Sequence, residues 1–218
     1  MPDTMSFAEG ALTEPFCVSM CGVKKYPVRE NTHVVIFGAG IIGMNAALYL
    51  SHKGVKNITI ADINEVRLKK AEDAGFLPLH TMKTNMIEEL TKRYGHAISA
   101  TKGLVPDVDL WIDAAGVPSL LKEAITYGKY TGQITILAVY RKDVELCLKD
   151  VMYNSLAIRG SVMYSLSDVS EAISLINANK DIGRTMISHE IPVEQAEEAF
   201  RIADDASVSM KVIMTSQE

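Results

Sequence analysis

The residues Gly38-Ala39-Gly40-Ile41-Ile42-Gly43 repeat the spacing G-x-G-x-x-G. That spacing acts through missing side chains. The first glycine permits a tight turn, the second lets backbone approach a pyrophosphate, and the third lets the following helix pack closely on its sheet. An anion held there sits at a helix N-terminus, where free N–H groups and the dipole favour negative charge. Asp62 follows Gly40 by 22 residues and closes the apolar run Ile58-Thr59-Ile60-Ala61. A carboxylate at that place accepts hydrogen bonds from both hydroxyls of an adenosine ribose and repels a 2′-phosphate. Two like charges ~4 Å apart cost about 4 kcal/mol at an effective dielectric of 20, roughly a thousandfold in affinity. The pattern therefore predicts NAD over NADP, with Gly38, Gly40, Ile41, Ile42, Gly43, Asp62 and Ile63 at the cofactor. Arg67 either reaches the ribose or the adenine, or is a solvated helix charge beside Lys69 and Lys70.

These residues need a strand before the glycine turn, a helix after it, and a second strand carrying the acid. The chain supplies all three and continues the alternation. Apolar runs predict strands at 33–37, 57–61, 108–112, 133–139 and 156–163, each short and continuous as in a parallel sheet buried on both faces. Residues 76–80 form a sixth candidate, weakened by Pro78, which donates no ladder hydrogen bond. Helices are expected at 42–53, 64–74 and 84–94, stopped by Gly54, Gly75 and Gly95. Pro118 opens a further helix that Gly128 closes, and Ser167 is the expected cap of a helix over 168–179. Strand alternating with helix predicts a doubly wound α/β fold, a six-stranded parallel Rossmann sheet. The division is a helical lead-in at 1–26, a dinucleotide-binding domain at 27–184, and a return segment of strand, helix and strand at 185–218.

Composition narrows the class. The 218 residues carry 22 basic and 27 acidic side chains, a net charge of −5 with no basic tract, so no nucleic-acid partner is expected. The apolar stretch 34–50 holds 17 residues with glycines clustered near its start. A spanning helix needs ~20 apolar residues, so this stretch reads as strand, turn and helix, with no membrane association. Three cysteines are too few for a disulfide scaffold, and free thiols suit a cytoplasmic location.

Taken in order, several short pieces form a set. They are Phe7-Ala8-Glu9-Gly10-Ala11-Leu12 with Glu14-Pro15, then Gly38 to Gly43, Asp62 and Arg67-Leu68 with Ala71. Asp109-Leu110-Trp111-Ile112-Asp113 with Gly116 follows, then Ile158-Arg159-Gly160-Ser161 and Ile191-Pro192-Val193-Glu194-Gln195-Ala196. The set resembles the zinc-dependent medium-chain dehydrogenase/reductase superfamily, especially its sorbitol, threonine and other polyol dehydrogenases, across essentially the whole sequence. The resemblance implies hydride transfer between a zinc-bound alcohol or ketone and NAD. It also implies that a GroES-like domain, whose Gly-His-Glu motif and cysteine pattern are not found here, supplies the zinc ligands. The expectation is the NAD-binding part of an alcohol or polyol dehydrogenase, without catalytic residues or metal of its own and inactive alone. Zinc would enter only in a full-length enzyme.

The same resemblance implies further cofactor contacts. Ala114, Ala115 and Gly116 match the loop that skirts the cofactor, and Leu137, Ala138 and Val139 match backbone that brackets the nicotinamide. Ser161 and Met163 match positions that bind the carboxamide, and Lys211 matches a basic residue that reaches the diphosphate. Glu14 reads as a first-turn helix carboxylate, zinc-proximal only when a partner domain is supplied. Pairing of edge strands around 146–163 implies a homodimer or homotetramer.

Three motifs lead elsewhere. His189-Glu190 falls on a strand, where neighbours face opposite ways. Cys17 and Cys21 lack a second pair for zinc and read as core. Tyr49-Leu50-Ser51-His52-Lys53 has the Tyr-x-x-x-Lys spacing but lies within the helix after the glycine turn. A non-catalytic NAD-sensing module is the alternative reading, and no helix-turn-helix accompanies it.

Overall fold

A computed structural model describes residues 1–216. Its centre is a six-stranded sheet in the order β3-β2-β1-β6-β7-β8, built from β1 (His33–Phe37), β2 (Asn57–Asp62), β3 (Leu77–His80), β6 (Leu110–Asp113), β7 (Gln133–Ile136) and β8 (Ala157–Gly160). Every pairing is parallel. The sheet is the expected doubly wound Rossmann sheet. Pro78 is tolerated because β3 is an edge strand, paired only with β2.

Alternate residues of β1 explain the two layers. Val34 and Ile36 enter a core with helices α2 (Thr13–Val23), α3 (Ile41–His52) and α8 (Leu166–Ala178). Val35 and Phe37 enter a second core with Trp111 and the buried faces of α5 (Met86–Tyr94) and α6 (Pro118–Thr126). Period-two side chains on a strand covered from both sides give this division directly. The lead-in, α1 (Phe7–Gly10) and α2, is bound to the sheet through Tyr26, whose hydroxyl donates to the Ala157 carbonyl at 2.6 Å. The Arg159 guanidinium stacks over the Tyr26 ring at 4.7 Å.

Several boundaries differ from those expected. β7 ends at Ile136 and β8 at Gly160, because the chain beyond each leaves the ladder for a loop. β6 runs on to Asp113. Ser165, not Ser167, caps α8, in a capping box with Asp168. Gly128 closes α6 for space: a Cβ there would lie 2.9 Å from the Ala124 carbonyl oxygen and from Leu156 Cδ2. Three features had no sequence signal strong enough to be read. They are the hairpin of β4 (His96–Ser99) and β5 (Gly103–Pro106), the short α7 (Leu148–Tyr153), and α9 (Lys180–Met186), which crosses the expected boundary at residue 184. After α4 (Glu65–Asp73) and the others, the tail adds β9 (Ile187–Pro192), a 3-10 turn (Val193–Gln195), α10 (Ala196–Asp204) and β10 (Lys211–Thr215). β9 and β10 pair in parallel as a separate two-stranded sheet.

Candidate cofactor site

The strand order reverses between β1 and β6, and ligands of open α/β sheets bind in the crevice outside the strand C-termini at such a point. Gly38 follows β1 at φ +97°, a conformation that a side chain would strain. Its N–H donates to the Ala61 carbonyl at 2.8 Å, so the turn is pinned to β2. Gly40 caps α3 in extended conformation, leaving the first N–H groups of that helix without intrahelical partners. At Gly43 a Cβ would collide with the Gly38 carbonyl oxygen. The third glycine thus brings the helix onto the turn, as the spacing predicts.

Asp62 closes β2 and braces this turn. Its Oδ2 accepts the Ala39 N–H at 2.6 Å, and Oδ1 accepts those of Ile63 and Asn64 at 2.7 and 2.9 Å. A carboxylate has about four lone-pair sites, so these three bonds leave capacity for one ribose hydroxyl where the sequence suggested two. Asn64 then caps α4 by accepting the Arg67 N–H at 3.0 Å. The Arg67 guanidinium folds back over the glycine turn, 3.6 Å from where a Gly40 Cβ would stand, and its Nε is buried without a partner. That position overturns the reading of Arg67 as a solvated helix charge.

Between these groups and α6 lies a cavity of about 710 Å³, lined among others by Gly38, Asp62, Ile63, Ala115, Leu120 and Glu123. Sequence reasoning missed the wall formed by Val117, Leu120, Glu123 and Met82. The signal available was Pro118, which starts α6 at the expected loop and so turns the first turn of the helix to the cleft. Burial pushes the Glu123 carboxyl above its ordinary range. A largely apolar cleft, an acid at the end of β2, a free helix N-terminus and an orphaned guanidinium nitrogen fit a dinucleotide.

The other expected contacts lie at the strand ends nearer β8. Ala114, Ala115 and Gly116 follow β6. Leu137 and Ala138 donate their N–H groups to the Asp113 carbonyl at 2.8 and 3.0 Å. Val139 is 88% exposed. Ser161 donates to the Ile136 carbonyl at 3.1 Å, and Met163 holds φ +64°, rare for a residue with a side chain. Lys211 lies on β10, and among the described residues no hydrogen bond or ion pair joins its ammonium group to the glycine turn. The tail touches the adenosine end instead through Asn64, whose side-chain N–H donates to the Ala206 carbonyl at 3.0 Å.

Glu14 is exposed in the first turn of α2. The Tyr164 phenol is pushed up, first by loss of water and then by the Glu14 carboxylate. Among the described residues no three His, Cys, Asp or Glu side chains come together to hold a metal ion, so the residues present do not make a zinc site. Cys17 and Cys21 are buried, and desolvation pushes the Cys17 thiol up to about 11. The Tyr49 hydroxyl donates to Glu171 at 3.0 Å, and the Tyr49 ring packs edge-on against Phe16 of α2. His189 bonds its neighbour Ser188. None of these motifs enters the cleft.

Fold and sheet topology together define an α/β domain of the Rossmann type. Residues 42–178 match the model of the zinc-binding dehydrogenases, and the chain belongs to that family, within the zinc-dependent medium-chain dehydrogenase/reductase superfamily. It is similar to the L-arabinitol 4-dehydrogenase of Hypocrea jecorina, 28% identical over 214 residues, covering 97% of this chain and 55% of that enzyme. The fold is shared with the 2R,3R-butanediol dehydrogenase of Bacillus subtilis (TM-score 0.86, 23% identity, all of this chain and 60% of that one). It is shared also with a short chain alcohol dehydrogenase from E. coli CFT073 complexed with NADH (TM-score 0.85, 24% identity, 99% of this chain and 61% of that one). The chain thus spans a little over half the length of these relatives. No helix among the described residues is long and apolar enough to cross a membrane.

Proposed function

We propose that this chain is the NAD-binding part of a zinc-dependent alcohol or polyol dehydrogenase, which moves a hydride between a secondary alcohol or ketone and NAD. The observation that carries this reading is Asp62, closing β2 with its carboxylate bonded to the glycine turn at Ala39. A 2′-phosphate would meet that charge, and NADP is disfavoured accordingly. NAD supplies the hydride acceptor when bound. The chain's own residues bind and orient it: α3 offers N–H groups to the diphosphate, Arg67 adds a cation, and loops 114–116 and 137–139 flank the far end.

On this reading the chain by itself binds NAD and turns nothing over. Zinc and the alcohol or polyol substrate belong to a full-length enzyme, with Glu14 facing the metal there. The tail at 185–218 belongs with the GroES-like catalytic domain of such an enzyme. A homodimer or homotetramer accords with β8, whose outer edge carries no partner strand among the described residues. Leu148, Met152, Tyr153 and Val162 are exposed beside it, and uncovered strand edges are sites of pairing.

Thermal unfolding with NAD and NADP, followed by absorbance of reduced cofactor with zinc and candidate polyols, tests the reading. NAD should raise the melting temperature with no turnover. Zinc-dependent turnover by this chain would overturn its role as the binding part alone.

A further inference from the structure

Asp113 joins the two loops that flank the far end of the cleft. It closes β6 and is only 1% exposed. Its Oδ1 accepts the N–H groups of Ala115 and Gly116 at 3.1 and 3.0 Å. Its main-chain carbonyl accepts those of Leu137 and Ala138. The remaining oxygen, Oδ2, accepts the Tyr140 hydroxyl at 2.5 Å. One residue therefore holds both loops, and one phenol completes its coordination.

The loops also touch. Gly116 has φ +67°, and a Cβ on it would stand 3.2 Å from the Ala138 Cβ. Through Tyr140, which directly follows 137–139, the Asp113 carboxylate ties that loop to 115–116. A buried carboxylate oxygen left without a donor is costly and moves to find one. Burial, and then the bond to Asp113, push the Tyr140 phenol above its ordinary range, so it stays a proton donor at neutral pH. The ring itself packs, half-buried, beside the core under α5 and α6.

We propose that Tyr140 is a positioning residue which, through Asp113, sets the spacing of the two loops and so the affinity for the nicotinamide half of the cofactor. The proposal rests on the NAD-binding reading above. It separates the two halves of the ligand, since ADP-ribose carries the adenosine, diphosphate and second ribose but no nicotinamide.

Calorimetric titration of the unaltered chain and of Tyr140→Phe with NAD and with ADP-ribose tests it. The phenylalanine keeps the ring and removes only the hydroxyl. NAD binding should weaken about tenfold, the cost of one unsatisfied buried acceptor, while ADP-ribose binding stays within about twofold. Amide hydrogen exchange at Ala115 and Gly116 should quicken in the same variant. Equal weakening of both ligands, or of neither, overturns the proposal, as does unchanged exchange at those amides. An unaltered chain that binds neither ligand overturns the NAD reading itself. Should Tyr140→Phe not fold, Tyr140→Leu, which likewise removes the hydroxyl donor, carries the same comparison, with the same selective loss of NAD expected.

Discussion

The two ends of the cleft are built differently. At the proposed adenosine end the groups about the glycine turn are braced by the chain between Gly38 and Arg67. Asp62 accepts three backbone N–H groups, Asn64 caps α4, and Arg67 lies over the glycine turn. At the far end Val139 and Met163 stand mostly in solvent, and Met163 holds a left-handed backbone. Asp113 and Tyr140 tie two of its loops together. The difference teaches which half of the site is self-contained. Local contacts within one stretch brace the glycine turn, with Met82 and Leu120 walling the cleft beside it, whereas the far end presents apolar side chains and a left-handed backbone to solvent.

The largest expected effect breaks the braced end. In Gly43→Val the new side chain meets the Gly38 carbonyl oxygen, and forcing α3 off the turn should cost about 3 kcal/mol in urea unfolding. NAD should no longer raise the melting temperature. Asp62→Ala comes next. It removes the acceptor of three N–H groups and of the ribose, so NAD affinity should fall by about 2 kcal/mol, roughly thirtyfold, in calorimetry. Discrimination between NAD and NADP should shrink with it. A variant that kept its preference for NAD would move that preference away from Asp62.

The open end should respond in the opposite direction. Met163→Gly relieves a left-handed residue worth ~1–2 kcal/mol, offset by the greater freedom of glycine in the unfolded chain. A net gain of about 0.5 kcal/mol is expected in denaturant unfolding. A loss would mean that the Met163 side chain already packs against this chain.

The smallest effect concerns how the open end is held to the lead-in. Lys24 of α2 pairs with Asp168 and Glu171 of α8, at 2.8 and 2.6 Å. The hydrogen bond from Lys24, aided by Ser165, holds the Asp168 carboxyl well below the usual carboxylate range. A depressed carboxylate contributes stability that is complete above its unfolded value near pH 4 and is lost as pH falls toward the folded value. Lys24 is partly exposed, which weakens the pair by solvent screening. Lys24→Met should therefore flatten the acid limb of stability against pH by a few tenths of a kcal/mol. An unchanged slope below pH 4 would assign that limb to other carboxylates.

The braced end was legible in the sequence and the open end was not, for a physical reason. Gly38, Gly43 and Asp62 act through local geometry, a positive φ, a forbidden Cβ and a strand terminus, and local geometry leaves a fixed spacing in the chain. Arg67 was left undecided because its contact with Gly40 depends on how α4 crosses α3. The pairing of Asp113 with Tyr140 spans 27 residues and two strands, and no periodicity announces it. The sheet itself followed from short apolar runs and the glycine stops. The β4–β5 hairpin escaped because its strands are only four residues each and half exposed, with little apolar pattern to read. The cap falls at Ser165 and not at the expected Ser167 because the segment Ser165-Leu166-Ser167-Asp168 offers two serines, and only the capping box to Asp168 separates them.

The central claim is that this chain alone forms an adenosine-end site complete enough to hold NAD. Calorimetric titration of the purified chain tests it most directly, with NAD in one series and NADP in the other. Saturable binding of one NAD per chain is expected, with NADP weaker by roughly a thousandfold from the charge of Asp62. No heat of binding with millimolar NAD, or equal affinity for the two cofactors, would contradict it.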